Sequence, residues 1–352
     1  MSIAKYKDEL IKNARYLCQK GKGLLAADES TKTCGKRLET IEVENTEENR
    51  RAWREVLLTT KDLEKYISGV ILYDETVFQK TKDGKRFTEV LLSRGIFPGV
   101  KGDTGTVTIQ DSENETFTQG LDDLGKRCAK YYQEGCKFAK WRCVYRITKN
   151  TPSMNAMKEN ANGLARYAVI CQENGLVPII EPEVLCEGDH DINKCAEVTT
   201  NVLHEVFNAL FNSKVLLEGI LLKPNMITPG NDCKNKATHA EIAWMTVRTL
   251  LRIVPPAVPG IIFLSGGQSE KDASENLNAM NLIKDVKIPW NLSFSYGRAL
   301  QHTCLITYHG KSENVEKAQG FLLNMAKNNS DATQGLYKSE DINASTVKEF
   351  VY

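Results

Sequence analysis

Eight short apolar runs recur along the chain, separated by segments whose apolar positions follow a helical period. The runs are GLLAAD (23–28), SGVILYDET (68–76), PGVKGD (98–103), CKFAKWR (136–142), LVPIIEPEV (176–184), LEGILLKP (217–224), GIIFLSGG (260–267) and NLSFSYGR (291–298). They are nearly continuous in apolar character rather than alternating, as parallel strands covered on both faces are. Ahead of them, DELIKNARYLCQKG sets Leu10, Ile11, Ala14, Leu17 and Cys18 on one helical face, and Gly21 suits the helix stop. Asn45 and Glu48 have capping-box spacing before NRRAWREVLL. A helix from Thr151-Pro152 closes at Asn174-Gly175, another ends against Pro255-Pro256, and SENVEKAQGFLLNMAK reads as the last. Strands alternating with helices predict a single-domain α/β fold over residues 1–328, a (β/α)8 TIM barrel with an N-terminal helix. From 329 to 352 the pattern dissolves into NSDATQGLYKSEDINASTVKEFVY, a flexible C-terminal tail whose last four residues are apolar enough to dock.

The composition is that of a globular chain: 352 residues, 41% hydrophobic and 26% charged, enough for one large core. A net charge of +1 provides no field for nucleic acid or an anionic membrane. No apolar run approaches a membrane span, and the start, MSIAKYKDEL, has no signal-peptide core. The ten cysteines form no CxxC pair and several sit in apolar patterns, so reduced thiols and a cytoplasmic location are expected. Sequons at Asn114, Asn291, Asn328 and Asn343 would then go unused.

Chemistry enters with the charges at the ends of the runs. In a barrel, functional groups sit at the C-terminal ends of strands and on the loops that follow. Here those ends carry Asp28, Lys101, Lys140 and Arg142, Glu181 and Glu183, Lys223, Ser265 and Arg298. With side chains alternating at period two, Lys140 and Arg142 share a face, as do Glu181 and Glu183. The same period puts Lys223 with Leu221 and Gly219, and Glu218 on the opposite face. Each charge alone reads as a solvated strand end or an ion pair. The set together implies opposite charges converging in the barrel mouth.

A lysine at the end of a buried run is costly unless it is paired or neutralised. An ordinary lysine titrates near about 10.4, and only its neutral form attacks a carbonyl. Burial and a neighbouring cation, for which Lys140 two strands away is placed, favour the neutral amine. Such a lysine forms an imine whose protonated form draws electrons from an adjacent carbon–carbon bond. Glu181, Glu183 and Asp28 are candidates for the proton transfers this needs. FLSGGQSE and SYGRAL are glycine-bearing turns that open helices after strands seven and eight, where barrels commonly hold phosphate, and Arg298 can bind it bidentately. None of the five histidines stands in HxH or HExxH spacing, so no metal is expected in the mechanism.

With these motifs in order, the chain resembles the class I (Schiff-base) fructose-bisphosphate aldolase family over nearly its whole length. VLLEGILLKPN resembles that family's active-site signature, and GLLAADEST, KRL, NTEENRR, FAKWR, PIIEPEV, LSGGQS and FSYGRAL also match. The resemblance implies a metal-independent, cytoplasmic, homotetrameric glycolytic lyase without a cofactor. It would cleave fructose 1,6-bisphosphate reversibly to dihydroxyacetone phosphate and glyceraldehyde 3-phosphate. Carried over, Lys223 is the nucleophile, Glu181 the acid–base group of imine formation, and Asp28 assists at the C4 hydroxyl. Lys140 and Glu183 support charge state and proton transfer, and Arg142 binds substrate. Ser265, Gly266, Gly297 and Arg298 hold one phosphate, while Lys101, Ser30, Thr33 and Arg37 lie towards the other. Tyr352, at the end of a tail that reaches the active site, protonates the enamine. Departures from the animal pattern are Lys32 in DESTKT, the missing second lysine of KGDTG, and Asp74 in LYDET. The alternatives are a different Schiff-base sugar-phosphate enzyme, such as a transaldolase-like one, and a scaffold binding cytoskeletal or membrane-complex proteins beside catalysis.

Overall fold

The protein was analysed as a computed structural model that describes residues 3–339. Ten strands are present among them: β1 Gly23–Ala27, β2 Ile67–Leu72, β3 Phe97–Lys101, β4 Thr106–Thr108, β5 Thr116–Thr118, β6 Phe138–Tyr145, β7 Val177–Val184, β8 Leu221–Leu222, β9 Gly260–Phe263 and β10 Asn291–Tyr296. Eight of them close a parallel barrel in the order β1-β10-β9-β8-β7-β6-β3-β2. All eight apolar runs supply a barrel strand.

The barrel has an apolar floor and a charged mouth. Leu24 and Ala26 of β1, Ile71 of β2, Phe138 of β6, Val177 and Ile179 of β7, Leu221 of β8 and Ile262 of β9 form one buried cluster. The helix Ile3–Leu17 completes it with Leu10, Ala14 and Leu17, followed by Cys18. The apolar face read from the sequence thus plugs the N-terminal end of the barrel. Burial of a large side chain here contributes about 1.5–3 kcal/mol. Room for the Phe138 ring comes chiefly from Gly99, where a Cβ would collide with it at 2.3 Å, while one at Gly69 would lie 2.7 Å from Leu17 and 3.0 Å from the ring. A second and larger core lies between the strands and the surrounding helices, with Trp53, Trp141 and Tyr167 among its fully buried rings.

Four local readings are corrected. The run 217–224 is mostly not a strand: Leu217–Gly219 is a 3-10 turn, and only Leu221 and Leu222 pair in the barrel. Buried backbone needs partners, and Gln172 supplies them, donating to Leu216 O and Gly219 O and accepting from Leu216 N. Period two therefore does not extend back to Glu218, which is exposed on that turn. The helix Glu47–Leu58 is capped by Thr46, whose hydroxyl accepts from Asn49 N at 3.1 Å. Asn45 instead donates to Thr31 O and accepts from Arg50. β4 and β5 form an antiparallel hairpin that the eight runs did not include. Asn160 holds it through Thr118 N and Thr116 O, and Thr118 Oγ1 donates to Arg142 O.

The last helix runs Val315–Ala332, beyond residue 328. Its end is fastened to the start of β1: Ser330 Oγ donates to Gly21 O at 2.6 Å, and Gly21 N to Thr333 Oγ1 at 3.1 Å. These contacts join residues more than 300 positions apart, so polar composition alone did not reveal them. Residues 340–352, with Tyr352, lie outside the described residues.

Gly99→Ala is expected to lower stability by about 1–3 kcal/mol by overpacking against Phe138. Urea unfolding of G99A alone and with Phe138→Leu measures this, and the second change should recover part of the loss.

Candidate active site

The mouth is built by neighbouring strands. Lys101 of β3 is in register with Lys140 of β6, and Arg142 of β6 with Glu181 of β7. Lys223 follows β8, and its backbone N donates to Ile180 O at 2.8 Å. Asp28 follows β1. Lys140, Glu181, Glu183 and Lys223 are all buried.

Glu181 stands between the two buried lysines. Its Oε1 is 3.1 Å from Lys223 Nζ, and its Oε2 is 3.1 Å from Lys140 Nζ. Lys140 Nζ also pairs with Asp28 Oδ2 at 2.9 Å. Arg142 Nε pairs with Glu183 Oε2 at 2.5 Å, and Lys101 with Asp103. The repulsion expected between Lys140 and Lys223 is therefore met by a shared carboxylate. Burial by itself raises the Asp28 carboxyl, but Lys140 and then Lys223 outweigh it and bring it down to about 2. Glu181 is likewise opposed by burial and held below the usual carboxylate range by Lys140, Lys223 and Arg142. Burial disfavours the Lys140 ammonium, yet Asp28 and Glu181 raise it above the usual lysine range. Lys140 is thus a fixed cation, and Glu181 is an ionised carboxylate beside the Lys223 amine.

Glycine-bearing loops flank this cluster on the β9–β10 side. Ser265, Gly266, Gly267 and Gln268 form a turn closed by Gln268 N to Ser265 O at 3.1 Å, with Gly267 at φ +76°. A Cβ at Gly266 would lie 2.7 Å from Glu183 Oε1, so a larger residue there would displace the Glu183 carboxylate. Leu264 N donates to Pro224 O, which ties this loop to the residue after Lys223. Gly297 occupies the N-cap of the helix Arg298–Tyr308 with no side-chain cap, so no side chain competes for the backbone donors of the first turn. The other predicted residues lie after β1 and at the end of β3. Ser30 caps the helix Thr31–Glu39 by accepting from Thr33 N at 3.3 Å, and Arg37 pairs with Glu29 at 3.4 Å. Thr33 and Lys32 are exposed at the start of that helix. Asp74, one of the departures, accepts from Tyr131 OH at 2.6 Å.

Sequence reasoning missed the residues that hold this cluster in place. Arg54 is buried, donating to Ala27 O at 2.8 Å and Glu29 O at 3.0 Å, so it grips the backbone on both sides of Asp28. Gln301 donates to Ala26 O. Asp103 accepts from Lys101 and, at 3.4 Å, from Arg142 N. Asn225 accepts from Val184 N at 2.9 Å and so fixes the end of β7 beside Glu183. A signal existed for Arg54: with Arg50 it makes an i, i+4 pair on the helical face continued by Leu57 and Leu58.

The family model "Fructose-bisphosphate aldolase class-I" matches residues 9–352. Fructose-bisphosphate aldolase 5, cytosolic, of Arabidopsis thaliana is 56% identical over 350 residues, which are 99% of this chain and 97% of that protein. Fructose-bisphosphate aldolase 1, chloroplastic, of Chlamydomonas reinhardtii is 56% identical over 95% of this chain and 87% of its own length. The crystal structure of fructose-bisphosphate aldolase from Plasmodium falciparum, in complex with TRAP and a small-molecule inhibitor, superposes with a TM-score of 0.94 at 52% identity. It covers 96% of this chain and 97% of the other.

The low Asp28 carboxyl carries a stability consequence. Its folded value, about 2, lies below the 3.8 of an ordinary aspartate, so its contribution is complete above 3.8 and lost as pH falls towards 2. Asp28→Asn is expected to make stability less steep in pH over that window. At neutral pH it should cost about 3–5 kcal/mol, as breaking a buried ion pair does. Urea unfolding between pH 7 and 2.5 measures both.

Proposed function

Because the chain belongs to the class-I fructose-bisphosphate aldolase family, we propose that Lys223, Glu181, Lys140 and Asp28 carry its retro-aldol chemistry. The activity is the reversible cleavage of fructose 1,6-bisphosphate, by the metal-independent Schiff-base route of class I lyases. The observation that supports the residue assignment is the chain of contacts from Lys223 through Glu181 and Lys140 to Asp28.

Glu181, 3.1 Å from Lys223 Nζ, takes the ammonium proton as substrate enters, and the neutral amine attacks the C2 carbonyl. The carbinolamine loses its hydroxyl as water, with Glu181 returning the proton, which leaves an iminium at Lys223. The C3–C4 bond then breaks. Its electron pair moves to C3 as the enamine, and the C4 hydroxyl becomes the aldehyde as Asp28 takes its proton. Asp28 is suited to this as a carboxylate held ionised by Lys140. Lys140 stays cationic throughout and supports the negative charge developing at the reacting oxygens. Glu183 keeps Arg142 oriented towards substrate. Ser265, Gly266, Gly297 and Arg298 take the phosphate nearer the imine. Lys101, Ser30, Thr33 and Arg37 face the other phosphate, where binding replaces the Lys101–Asp103 and Arg37–Glu29 pairs. Tyr352 returns a proton to C3, after which water releases dihydroxyacetone phosphate.

The proposal extends to location and assembly. A cytoplasmic enzyme agrees with the cytosolic Arabidopsis relative, while the Chlamydomonas relative is chloroplastic. Among the described residues no helix is long and apolar enough to cross a membrane. A homotetramer is supported by Phe211 and Trp244, large apolar side chains exposed on the neighbouring helices Ile192–Asn212 and His239–Ile253. Protein partners beside catalysis are supported by the Plasmodium relative, which was solved with TRAP. The catalytic unit in this reading runs through the end of the last helix at Ala332, and the chain beyond it is the tail that brings Tyr352 to the site.

Borohydride added during turnover should fix the three-carbon ketose fragment on Lys223, as read by peptide mass mapping. Label at another lysine, or none, rejects the assignment. Lys223→Met should abolish cleavage with the fold intact, and a chelator should leave wild-type turnover unchanged. Glu181→Gln keeps the volume but cannot carry the proton. Its kcat should fall about 100- to 10,000-fold, with imine formation becoming the slow step in single-turnover trapping.

A further inference from the structure

Beside the barrel mouth, the helices His239–Ile253 and Glu270–Asn281 begin next to each other. His239 opens the first, and Asp272 and Glu275 lie one turn apart on the second. One ring nitrogen and one oxygen from each carboxylate lie within 4.8 Å of one another. The His239 Nε2 to Glu275 Oε2 contact is 2.6 Å.

The second ring nitrogen determines what this contact means. Nδ1 is 2.7 Å from Oδ1 of the buried Asn276. The amide is oriented by its own Nδ2, which donates to Gln268 Oε1 at 2.8 Å. An amide oxygen only accepts, so Nδ1 carries a hydrogen, which leaves Nε2 as the ring atom that can give a lone pair to a cation in place of a proton. An ionised carboxylate also presents only lone pairs. At 2.6 Å a positive particle, a proton or a metal ion, lies between the two atoms.

We propose that His239, Glu275 and Asp272 bind a divalent cation of the zinc class, outside the imine chemistry. The donor set of one imidazole nitrogen and two carboxylate oxygens suits that class, with solvent completing the shell. The ring is oriented as metal-binding histidines usually are, its other N–H held by a carbonyl oxygen. Ser269 Oγ donates to Asp272 Oδ2 at 2.7 Å and orients that carboxylate. Donors on one tetrahedral zinc stand about 3.3 Å apart. The histidine–glutamate contact therefore opens slightly and the solvent-exposed Asp272 closes in, which side-chain rotation achieves. None of the three residues belongs to the cluster around Glu181. The site is nonetheless joined to the Ser265–Gln268 turn, because Asn276 bonds both His239 and Gln268. Chain order alone does not reveal it, since its histidine and carboxylates are more than 30 residues apart.

The test is titration of metal-stripped, full-length protein with Co2+, followed by visible absorption. One equivalent should bind with the d–d bands of a nitrogen/oxygen site and no thiolate charge-transfer band, and Zn2+ should displace it. His239→Gln and Glu275→Gln should each weaken binding at least about tenfold, while metal-free turnover of the bisphosphate stays at the wild-type rate. Three results would overturn the proposal: no saturable Co2+ spectrum, in which case a proton alone bridges the pair; binding unaltered in both variants; or a thiolate band, which places the ion on cysteine.

Discussion

The mouth of this barrel depends on one carboxylate shared by two buried ammonium groups. Glu181 lies 3.1 Å from both Lys140 and Lys223. Removing charges from water costs several kcal/mol per ion, and the cost is recovered only when opposite charges are closely placed. Around Glu181 that condition is met by a balanced set. Lys101, Lys140, Arg142 and Lys223 stand among Asp28, Asp103, Glu181 and Glu183. Because the set is neutral by itself, the charge of a bisphosphate has to be met largely by other groups. This gives physical sense to the glycine turns and to Arg298 beside the cluster.

Such a cluster requires a rigid frame, and the barrel separates the two tasks along its axis. At the N-terminal end, Phe138, Ile179, Leu221 and the helix Ile3–Leu17 form a closed apolar floor. Two residues further along β6 and β7, the same inward faces carry Lys140 and Glu181. Each ion is thus held by a strand whose preceding inward residue is locked in the floor. Arg54, Gln301 and Asn225 extend the rigidity to the strand ends by bonding backbone at Ala27, Ala26 and Val184. Their role is positional, and it explains why charged and amide side chains are buried there.

Much of both fold and site was legible because it is local. Apolar runs identify barrel strands without knowledge of their neighbours, and period two places Lys140 with Arg142 and Glu181 with Glu183. The face Leu10, Ala14 and Leu17 was equally plain, although that it plugs a barrel was not. Where local reading failed, a distant partner decided. Gln172 turned Leu217–Gly219 away from strand geometry, Asn160 held the hairpin β4–β5, and Gly21 extended the last helix past residue 328.

The sequence by itself determined the class of fold, the lysine and the set of charges available to it, together with the family those motifs resemble. These rest on periodicity and residue type, which are properties of short segments. Only the tertiary structure decided which charges meet. It placed Glu181, rather than open repulsion, between Lys140 and Lys223, and it gave Asp103 to Lys101 and Glu183 to Arg142. Ion pairing falls off over a few ångströms, and such separations are set by barrel closure and strand register. No spacing along the chain contains them.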